Sequence, residues 1–191
     1  MTPFQVHTIE TAPQASKPLL EAAQKAWGFL PTLHGSLAES PVALEAYTTL
    51  FGLVGQSTLT PQEQQVVYLA VSVLHGCSYC VAGHTYLGRS VVLPEPAIQA
   101  LRDGQPIAVD ARLQALRRFT EEVVRERGFT GDAAVDAFIA AGFTRANVLE
   151  VVTVIATKTI ANYANHLTHT PPEGFMSDPA LGWVAPQLEA A

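Results

Sequence analysis

The 191-residue chain has few charged side chains and no excess of basic ones. Charged residues make up 15% of it and the net charge is −6, whereas about a quarter of an average soluble protein is charged. An acidic chain without a basic patch is not typical of nucleic-acid binding. So low a charge leaves much of the surface weakly solvated, and we therefore expect self-association. The 48% hydrophobic content excludes intrinsic disorder.

Cysteines and long apolar runs are also scarce. The two cysteines, Cys77 and Cys80, are too few for a disulfide scaffold. The N-terminus has neither the basic nor the apolar segment of a signal peptide. The uncharged stretch 64–88 is interrupted by glutamine, histidine, serine and glycine, unlike a membrane span. We therefore expect a cytoplasmic protein that has no membrane partner.

Helix-starting and helix-ending residues divide most of the chain into helical segments. Capping residues and prolines mark the starts, and glycines mark several of the ends. The few β-branched runs lie in segments of helical length, so we predict an all-α fold. The predicted helices are 16–27, 41–55, 60–75, 77–91, 110–128, 132–141 and 144–167, with another start at Pro31 and a short helix ending at Gly104.

The segment that carries chemistry is Cys77-Ser78-Tyr79-Cys80-Val81-Ala82-Gly83-His84. Spacings of three and four place both cysteines and the histidine on one face of a helix. Cys77 follows a glycine in the first helical turn, where free N–H groups and the helix dipole favour a thiolate. His84 lies one turn beyond Cys80. The pattern is typical of a redox site that closes and reopens a disulfide.

Two structural interpretations of the same residues stand beside this one. Both cysteines can be buried apolar fillers. Alternatively, Cys77, Cys80 and His84 can hold zinc together with a fourth ligand such as His75. Structural zinc sites more often collect ligands from two segments, and the chain has no second cysteine pair. We therefore expect no metal and no cofactor.

The stretch LTPQEQQVVYLAVSVLHGCSYCVAGHTYLGR resembles the core of the AhpD-like alkylhydroperoxidase and carboxymuconolactone decarboxylase superfamily. The shared features are a Ser/Thr-Pro helix start followed by C-x-x-C-x-x-x-H. The segments FLPTLHGSLAESPVALEAYTTLFG and NYANHLTHTP also resemble the family, so the resemblance covers about 27–170. It implies one AhpD-like helical domain over 1–191, assembled as an oligomeric helix bundle. The tail 171–191 would be irregular and pack over a neighbour.

This resemblance implies a thiol peroxidase that reduces hydroperoxides. Carried over residue by residue, Cys80 attacks the peroxide and passes through a sulfenic acid. Cys77 then resolves that acid to a disulfide, and His84 helps to move protons. The resemblance also implies dimers, trimers or hexamers of the chain, and a lipoylated or other dithiol partner that supplies electrons.

The chain departs from the family where a proton-relay glutamate is expected, twelve residues before Cys77. That position is Gln65, which cannot exchange a proton near neutral pH but can hold His84 or orient a water. Glu63 lies two residues earlier, rotated by about 200° on a helix. Thr60 and Glu63 also form a capping-box pattern, which gives Glu63 a structural role. We therefore expect a slower peroxidase.

Other residues are weaker candidates. His166 takes the place of His84 when the last long helix is set against the dithiol helix, although a polar residue near a helix C-terminus needs no function. Tyr79 is expected to pack or to line the pocket. Trp27, Phe29 and Leu30 fit core packing or the wall of an apolar substrate channel. We expect His34 and His75 to be structural or interfacial.

Two other functions compete with the peroxidase. One is an acid–base enzyme of the decarboxylase branch, acting on a small lactone or acid without redox turnover. That branch generally lacks the paired cysteines, so the CSYC sequence argues against it. The other is a non-catalytic helical assembly module whose thiol pair is inert or metal-bound.

Overall fold

A computed structural model describes residues 4–185 of the chain. Helices are the regular secondary structure of this part, which confirms the predicted all-α fold. The helices are α1 (Lys17–Trp27), α2 (Thr32–Leu37), α3 (Pro41–Val54), α4 (Pro61–Leu74), α5 (Ser78–Ser90), α6 (Glu95–Arg102), α7 (Ala111–Arg125), α8 (Asp132–Ala140) and α9 (Arg145–Thr168). A short 3₁₀ turn follows at Gly174–Ser177.

Local capping explains why these helices begin where the sequence predicts. The Ser40 hydroxyl accepts from the N–H of Ala43, and Asp110 accepts from the first N–H groups of α7. Thr60 and Thr144 each form a capping box with the residue three positions later. Such contacts satisfy N–H groups that have no partner inside the helix. Because they depend on near neighbours alone, they are readable from the sequence.

The turn between α4 and α5 sets the direction of the dithiol helix. Gly76 adopts a left-handed conformation with φ 68°, and the N–H of Cys77 donates to the Ser72 carbonyl at 3.0 Å. This is the glycine-dependent helix end that the sequence indicates. Cys77 consequently caps the N-terminus of α5, and Cys80 lies in its first turn.

Helix α4 is the centre of the larger core. It packs against α5, α6, α7 and α9, and its residues from Val66 to Val71 are all buried. This explains why residues 64–74 carry no charge, since a helix enclosed by others has no polar face. A second, smaller core includes both cysteines and lies among α1, α2, α3, α5 and α9.

The described part of the C-terminal tail lies over its own chain. Met176 and Leu181 pack against Ala82 of α5. Arg102 at the end of α6 donates to the carbonyls of Leu181 and Gly182, and the Trp183 indole donates back to the Arg102 carbonyl at 2.8 Å. Residues 176–183 of the tail thus lie against α5 and α6 of the same chain. The rest of the predicted irregular tail, 186–191, lies outside the described residues.

No single helix within residues 4–185 is long and apolar enough to cross a membrane. The pair α8 and α9 meets the length and composition criteria only when both helices are taken together, and they are bent by 110° at their junction.

Candidate active site

The two thiols lie side by side at the start of α5. Both are buried and unoxidised, and their side chains come within 3.0 Å of each other. The amide Nδ2 of Asn165, on α9, donates to the Cys80 sulfur at 3.2 Å and lies 3.8 Å from that of Cys77. The helix geometry therefore brings the cysteines together as predicted, and α9 supplies a polar group to both.

The thiols differ in proton affinity. Burial alone raises the pKa of Cys80. The hydrogen bond from the Cys77 thiol, the charge of Lys158 and the Asn165 amide outweigh burial, and together they lower that pKa. The pKa of Cys77 is raised, first because its thiol donates to Cys80 and then by burial. Cys77 lies at the helix start whose free N–H groups were predicted to favour a thiolate, while Lys158 and Asn165 of α9 stabilise an anion on Cys80.

A cavity of about 190 Å³ opens onto Cys80 but not onto Cys77. Its wall is mostly apolar and aromatic, as expected for a small organic ligand. Trp27 and Phe29 line it, in agreement with their proposed place in an apolar channel, whereas Leu30 packs in the smaller core. The other lining residues are Pro31, Leu33, His34, Tyr47, Phe51, Tyr79, Gly83, His84, Tyr86, Leu87, Lys158, Glu173, Phe175 and Met176.

His84 faces the same cavity in a neutral form. Its Nδ1 bonds to the side-chain oxygen of Gln65 at 2.9 Å, and its ring stacks on Tyr68 with centroids 4.5 Å apart. Burial, with a smaller effect of Lys158, lowers the pKa of His84 well below its ordinary value. A histidine that donates from Nδ1 to an amide oxygen presents Nε2 as an acceptor. Gln65 thus holds His84, which is one of its two predicted roles.

Glu63 occupies the structural position that its spacing predicts. Its carboxylate accepts from the Thr60 N–H at 2.8 Å, while the Thr60 hydroxyl accepts from the Glu63 N–H at 3.2 Å. The other carboxylate oxygen pairs with Arg112 on α7 at 2.8 Å. Glu63 does not line the dithiol cavity. Its carboxylate therefore joins α4 to α7 and does not serve the thiols.

We expect Glu63→Gln to leave hydroperoxide reduction unchanged and to cost only about 1 kcal/mol of stability. Glutamine still accepts from the Thr60 N–H, and the half-exposed Arg112 can be solvated once its ion pair is lost. Urea unfolding and a hydroperoxide assay of the variant check both parts. A variant that folds normally but has lost its activity would contradict this role.

A tail residue, Glu173, closes one side of the cavity. Its carboxylate oxygen accepts from the backbone N–H of Thr32 at 2.6 Å, the Thr32 hydroxyl at 2.9 Å and the Tyr79 hydroxyl at 2.8 Å. Tyr79 therefore lines the pocket, as predicted, and also anchors the tail. Glu173 was not predicted, since nothing in the tail sequence indicates that it returns to α2.

Three further histidines that the sequence analysis considered, His34, His75 and His166, lie in different surroundings. His34 lines the cavity beside Tyr47, and burial lowers its pKa to about 4. His75 bonds through Nδ1 to Asn162 of α9 at 3.0 Å, a structural contact. His166 is exposed and does not line the cavity. The residues of α9 that approach the dithiol are Lys158 and Asn165 instead.

Sequence reasoning missed Lys158 and Asn165, although the sequence carries a signal for them. Lys158, Asn162 and Asn165 are spaced four and three apart, so they share one face of α9, and all three are buried. Polar residues on the buried face of a helix require partners.

Within residues 4–185, no three His, Cys, Asp or Glu side chains cluster as a metal site requires, which disfavours zinc on Cys77, Cys80, His84 and His75.

Comparisons with known proteins agree with this architecture. Residues 41–122 match the sequence profile of the Carboxymuconolactone decarboxylase family. The crystal structure of the alkylhydroperoxidase AhpD core of an uncharacterized peroxidase-related protein from Ralstonia eutropha JMP134 has a TM-score of 0.80 and 20% identity, with 92% of this chain and 95% of that chain covered. An uncharacterized peroxidase-related protein from Silicibacter sp. TM1040 has a TM-score of 0.75 and 19% identity, with coverages of 92% and 96%.

A third similar structure is the debrominase Bmp8. A cysteine-to-alanine variant of it in complex with 2,3,4-tribromopyrrole has a TM-score of 0.73 and 16% identity, covering 91% of this chain and 93% of that chain. At these identities the likeness shows the fold alone. No curated protein matches the chain significantly.

Proposed function

Residues 41–122 match the Carboxymuconolactone decarboxylase family, and we propose that the chain is a member of the AhpD-like and carboxymuconolactone decarboxylase superfamily and a thiol peroxidase that reduces organic hydroperoxides. The observation that carries the proposal is the asymmetry of the dithiol. Cys80 opens onto an apolar cavity that His84 also lines. Cys77 lies 3.0 Å from Cys80 and does not line the cavity. Such a pair has one thiol placed to meet substrate and one placed to resolve the product.

The reaction balances with the two thiols alone. The Cys80 thiolate attacks the terminal peroxide oxygen, the O–O bond breaks, and the alkoxide leaves as an alcohol after gaining a proton. Cys80 is then a sulfenic acid. Cys77 attacks its sulfur, a disulfide forms, and water leaves. One hydroperoxide and two thiols thus yield one alcohol, one water and one disulfide. A lipoylated or other dithiol restores the thiols by exchange.

The cavity wall indicates the kind of hydroperoxide. Aromatic side chains such as Trp27, Phe29 and Phe51 surround the approach to Cys80. Burying apolar surface stabilises an alkyl or aryl group there by roughly 25 cal/mol per Å², a gain that hydrogen peroxide cannot make. We therefore propose alkyl and aryl hydroperoxides as the substrates.

The proposal is tested by mixing the reduced protein with one equivalent of cumene hydroperoxide. We expect one equivalent of the alcohol and the loss of two free thiols per chain. If the hydroperoxide is recovered and both thiols remain, the proposal is wrong. The same thiol count separates the peroxidase from acid–base catalysis on a lactone and from a non-catalytic assembly module, because neither oxidises a thiol.

The aromatic cavity at Cys80 favours a second candidate, reductive removal of a halogen from a small aromatic ring. The debrominase Bmp8, bound to 2,3,4-tribromopyrrole, shares this fold. In such a step the Cys80 thiolate takes bromine from carbon, the ring carbon takes a proton, and Cys77 displaces bromide as the disulfide forms. Incubation with 2,3,4-tribromopyrrole would release one bromide for every two thiols lost, and no bromide if only the peroxidase is correct.

We also propose that the chain forms a homo-oligomer through the outer face of α9. The exposed side chains there include Leu149, Val152, Tyr163 and Leu167. Between Glu150 and His166 the helix has one charged residue, the buried Lys158. An apolar face on the longest helix, whose inner face is partly polar, suits a second copy of the same surface.

Replacing Leu149 and Leu167 together with lysine is expected to separate the oligomer into 20.4 kDa chains. Two buried cations on a self-complementary interface oppose each other across it. Light scattering after size-exclusion chromatography checks the mass. Phe129→Lys is the control, because this residue is 89% exposed in the loop before α8. A wild-type mass of one chain would contradict the proposal.

A further inference from the structure

Lys158 is a buried cation without a carboxylate partner. It lies in the middle of α9, 2% exposed, and no carboxylate within residues 4–185 comes within ion-pair distance of it. The other lysines of the chain, Lys17 and Lys25, belong to α1. Burial of an ammonium group is costly unless an anion or a hydrogen-bond acceptor compensates it. The group that compensates the Lys158 ammonium is therefore expected among the residues of the dithiol site.

The position of Lys158 indicates that Cys80 is its partner. Its side chain lines the same cavity as Cys80 and His84, and its charge lowers the pKa of Cys80. Its Nζ lies 5.8 Å from the centre of the Tyr68 ring. On the same face of α9, Asn165 Nδ2 is 3.2 Å from that sulfur. One helix face thus presents a cation and an amide donor to one thiol.

No other lining group can supply a positive charge at neutral pH. His84 donates its Nδ1 hydrogen to Gln65, and burial keeps the pKa of His84 well below neutrality. His34 is buried, and its pKa is lowered to about 4. The titratable and charged groups that surround Cys80 from all packed elements are His34, Tyr47, Tyr68, His75, Cys77, Tyr79, His84, Lys158 and Glu173. Lys158 is the cation of this set.

We propose that Lys158 holds Cys80 as a thiolate and gives a proton to the alkoxide that leaves when the peroxide bond breaks. This deepens the proposed peroxidase and rests on it for the second role alone. When the Cys80 thiolate takes the terminal OH, the ammonium of Lys158 protonates the departing alkoxide and becomes an amine. The amine then accepts the proton of the Cys77 thiol as Cys77 attacks the sulfenic acid, and passes it to the departing hydroxide to form water. Solvent returns a proton to the amine.

The test compares Lys158→Met with Lys158→Arg and with Lys25→Met. Lys25 is exposed on α1, so its variant is the control for loss of a lysine. The first readout is the pH titration of the thiolate by its ultraviolet absorbance and by alkylation with iodoacetamide. A nearby opposite charge lowers the pKa of an acid by about 1–3 units, so the Cys80 thiol of Lys158→Met should titrate at a higher pH than that of wild type. At a pH between these two midpoints, we expect the variant to be alkylated about 10-fold more slowly. Lys158→Arg should remain close to wild type, like the control.

The second readout isolates proton donation. Alkylation needs no proton donor, so Lys158→Met should match wild type once its own thiol titration is complete. At that pH its rate of cumene hydroperoxide reduction should still be lower, by about 10²-fold, the low end of general-acid effects. Circular dichroism verifies folding, and Lys158→Gln replaces the methionine variant if that one does not fold.

Each outcome identifies which claim fails. If the neutral variants titrate and react like the control, the inference is wrong while the peroxidase stands. If they shift the titration but equal wild type in peroxide reduction, proton donation by Lys158 is refuted. If the wild-type protein reduces no hydroperoxide yet its thiolate titration still depends on Lys158, the proposed function fails and the electrostatic role is retained.

Discussion

Replacing Cys80 with serine is expected to abolish peroxide-dependent oxidation, whereas replacing Cys77 with serine should stop the reaction at a sulfenic acid on Cys80. Cys80 opens onto the cavity and carries the lowered pKa, so a serine there removes the nucleophile. We expect at least about a 10³-fold loss of rate, as for other nucleophile deletions. A serine at position 77 can still donate a hydrogen bond to the Cys80 thiolate, but it cannot close a disulfide.

The two variants control each other because the chain has no other cysteine. Rapid mixing with cumene hydroperoxide, followed by a sulfenic-acid-specific label and intact mass measurement, distinguishes them. The label should appear on Cys77→Ser and be absent from Cys80→Ser. The reverse distribution would mean that Cys77 is the attacking residue and that the asymmetry of the cavity has been misinterpreted.

Replacing Gln65 with glutamate is expected to accelerate hydroperoxide reduction by about 10-fold, less than the usual general acid–base effect of about 10²–10⁴-fold because the surroundings are not adapted to a carboxylate. Position 65 faces His84, whose Nδ1 lies 2.9 Å from the Gln65 oxygen. A carboxylate there would accept the same hydrogen and raise the pKa of His84, so that its ring could also give a proton to the departing alkoxide. The substitution conserves side-chain size, so the stacking of His84 on Tyr68 should persist.

Two opposing effects limit this gain. A carboxylate near the dithiol raises the thiol pKa by like-charge repulsion, and position 65 is buried, which disfavours the ionised form. Comparison with Gln65→Ala separates the roles, because alanine cannot hold His84 and should slow the reaction. If Gln65→Glu and Gln65→Ala both match wild type while Glu63→Gln is inactive, then Glu63 is the proton relay and the helical-phase argument fails.

The helices were predictable because their ends depend on residues a few positions apart. Thr60 with Glu63 and Gly76 before Cys77 specify a start and a stop without any tertiary contact. The same locality explains why Gln65 was correctly distinguished from Glu63, since two residues on one helix differ in direction by a fixed angle. The dithiol and His84 also lie within a single helix.

The rest of the site depends on contacts between distant segments. Asn165 reaches the cysteines across more than eighty residues, and Glu173 crosses more than a hundred to reach Thr32. The groups that lower the pKa of Cys80 include Lys158 and Asn165 of α9, which are far from Cys80 in the sequence. The signal for these contacts in the sequence is the spacing of Lys158, Asn162 and Asn165, which places three polar residues on one face of α9.

The most direct test of the account is rapid-quench peptide mapping of the wild-type chain after one equivalent of cumene hydroperoxide. Samples are alkylated at successive times and the cysteine-containing peptide is identified by mass spectrometry. We expect a sulfenic acid to appear first on Cys80 and then to convert to a Cys77–Cys80 disulfide, with no intermolecular link. Recovery of both cysteines in their alkylated, unoxidised form at every time would contradict it.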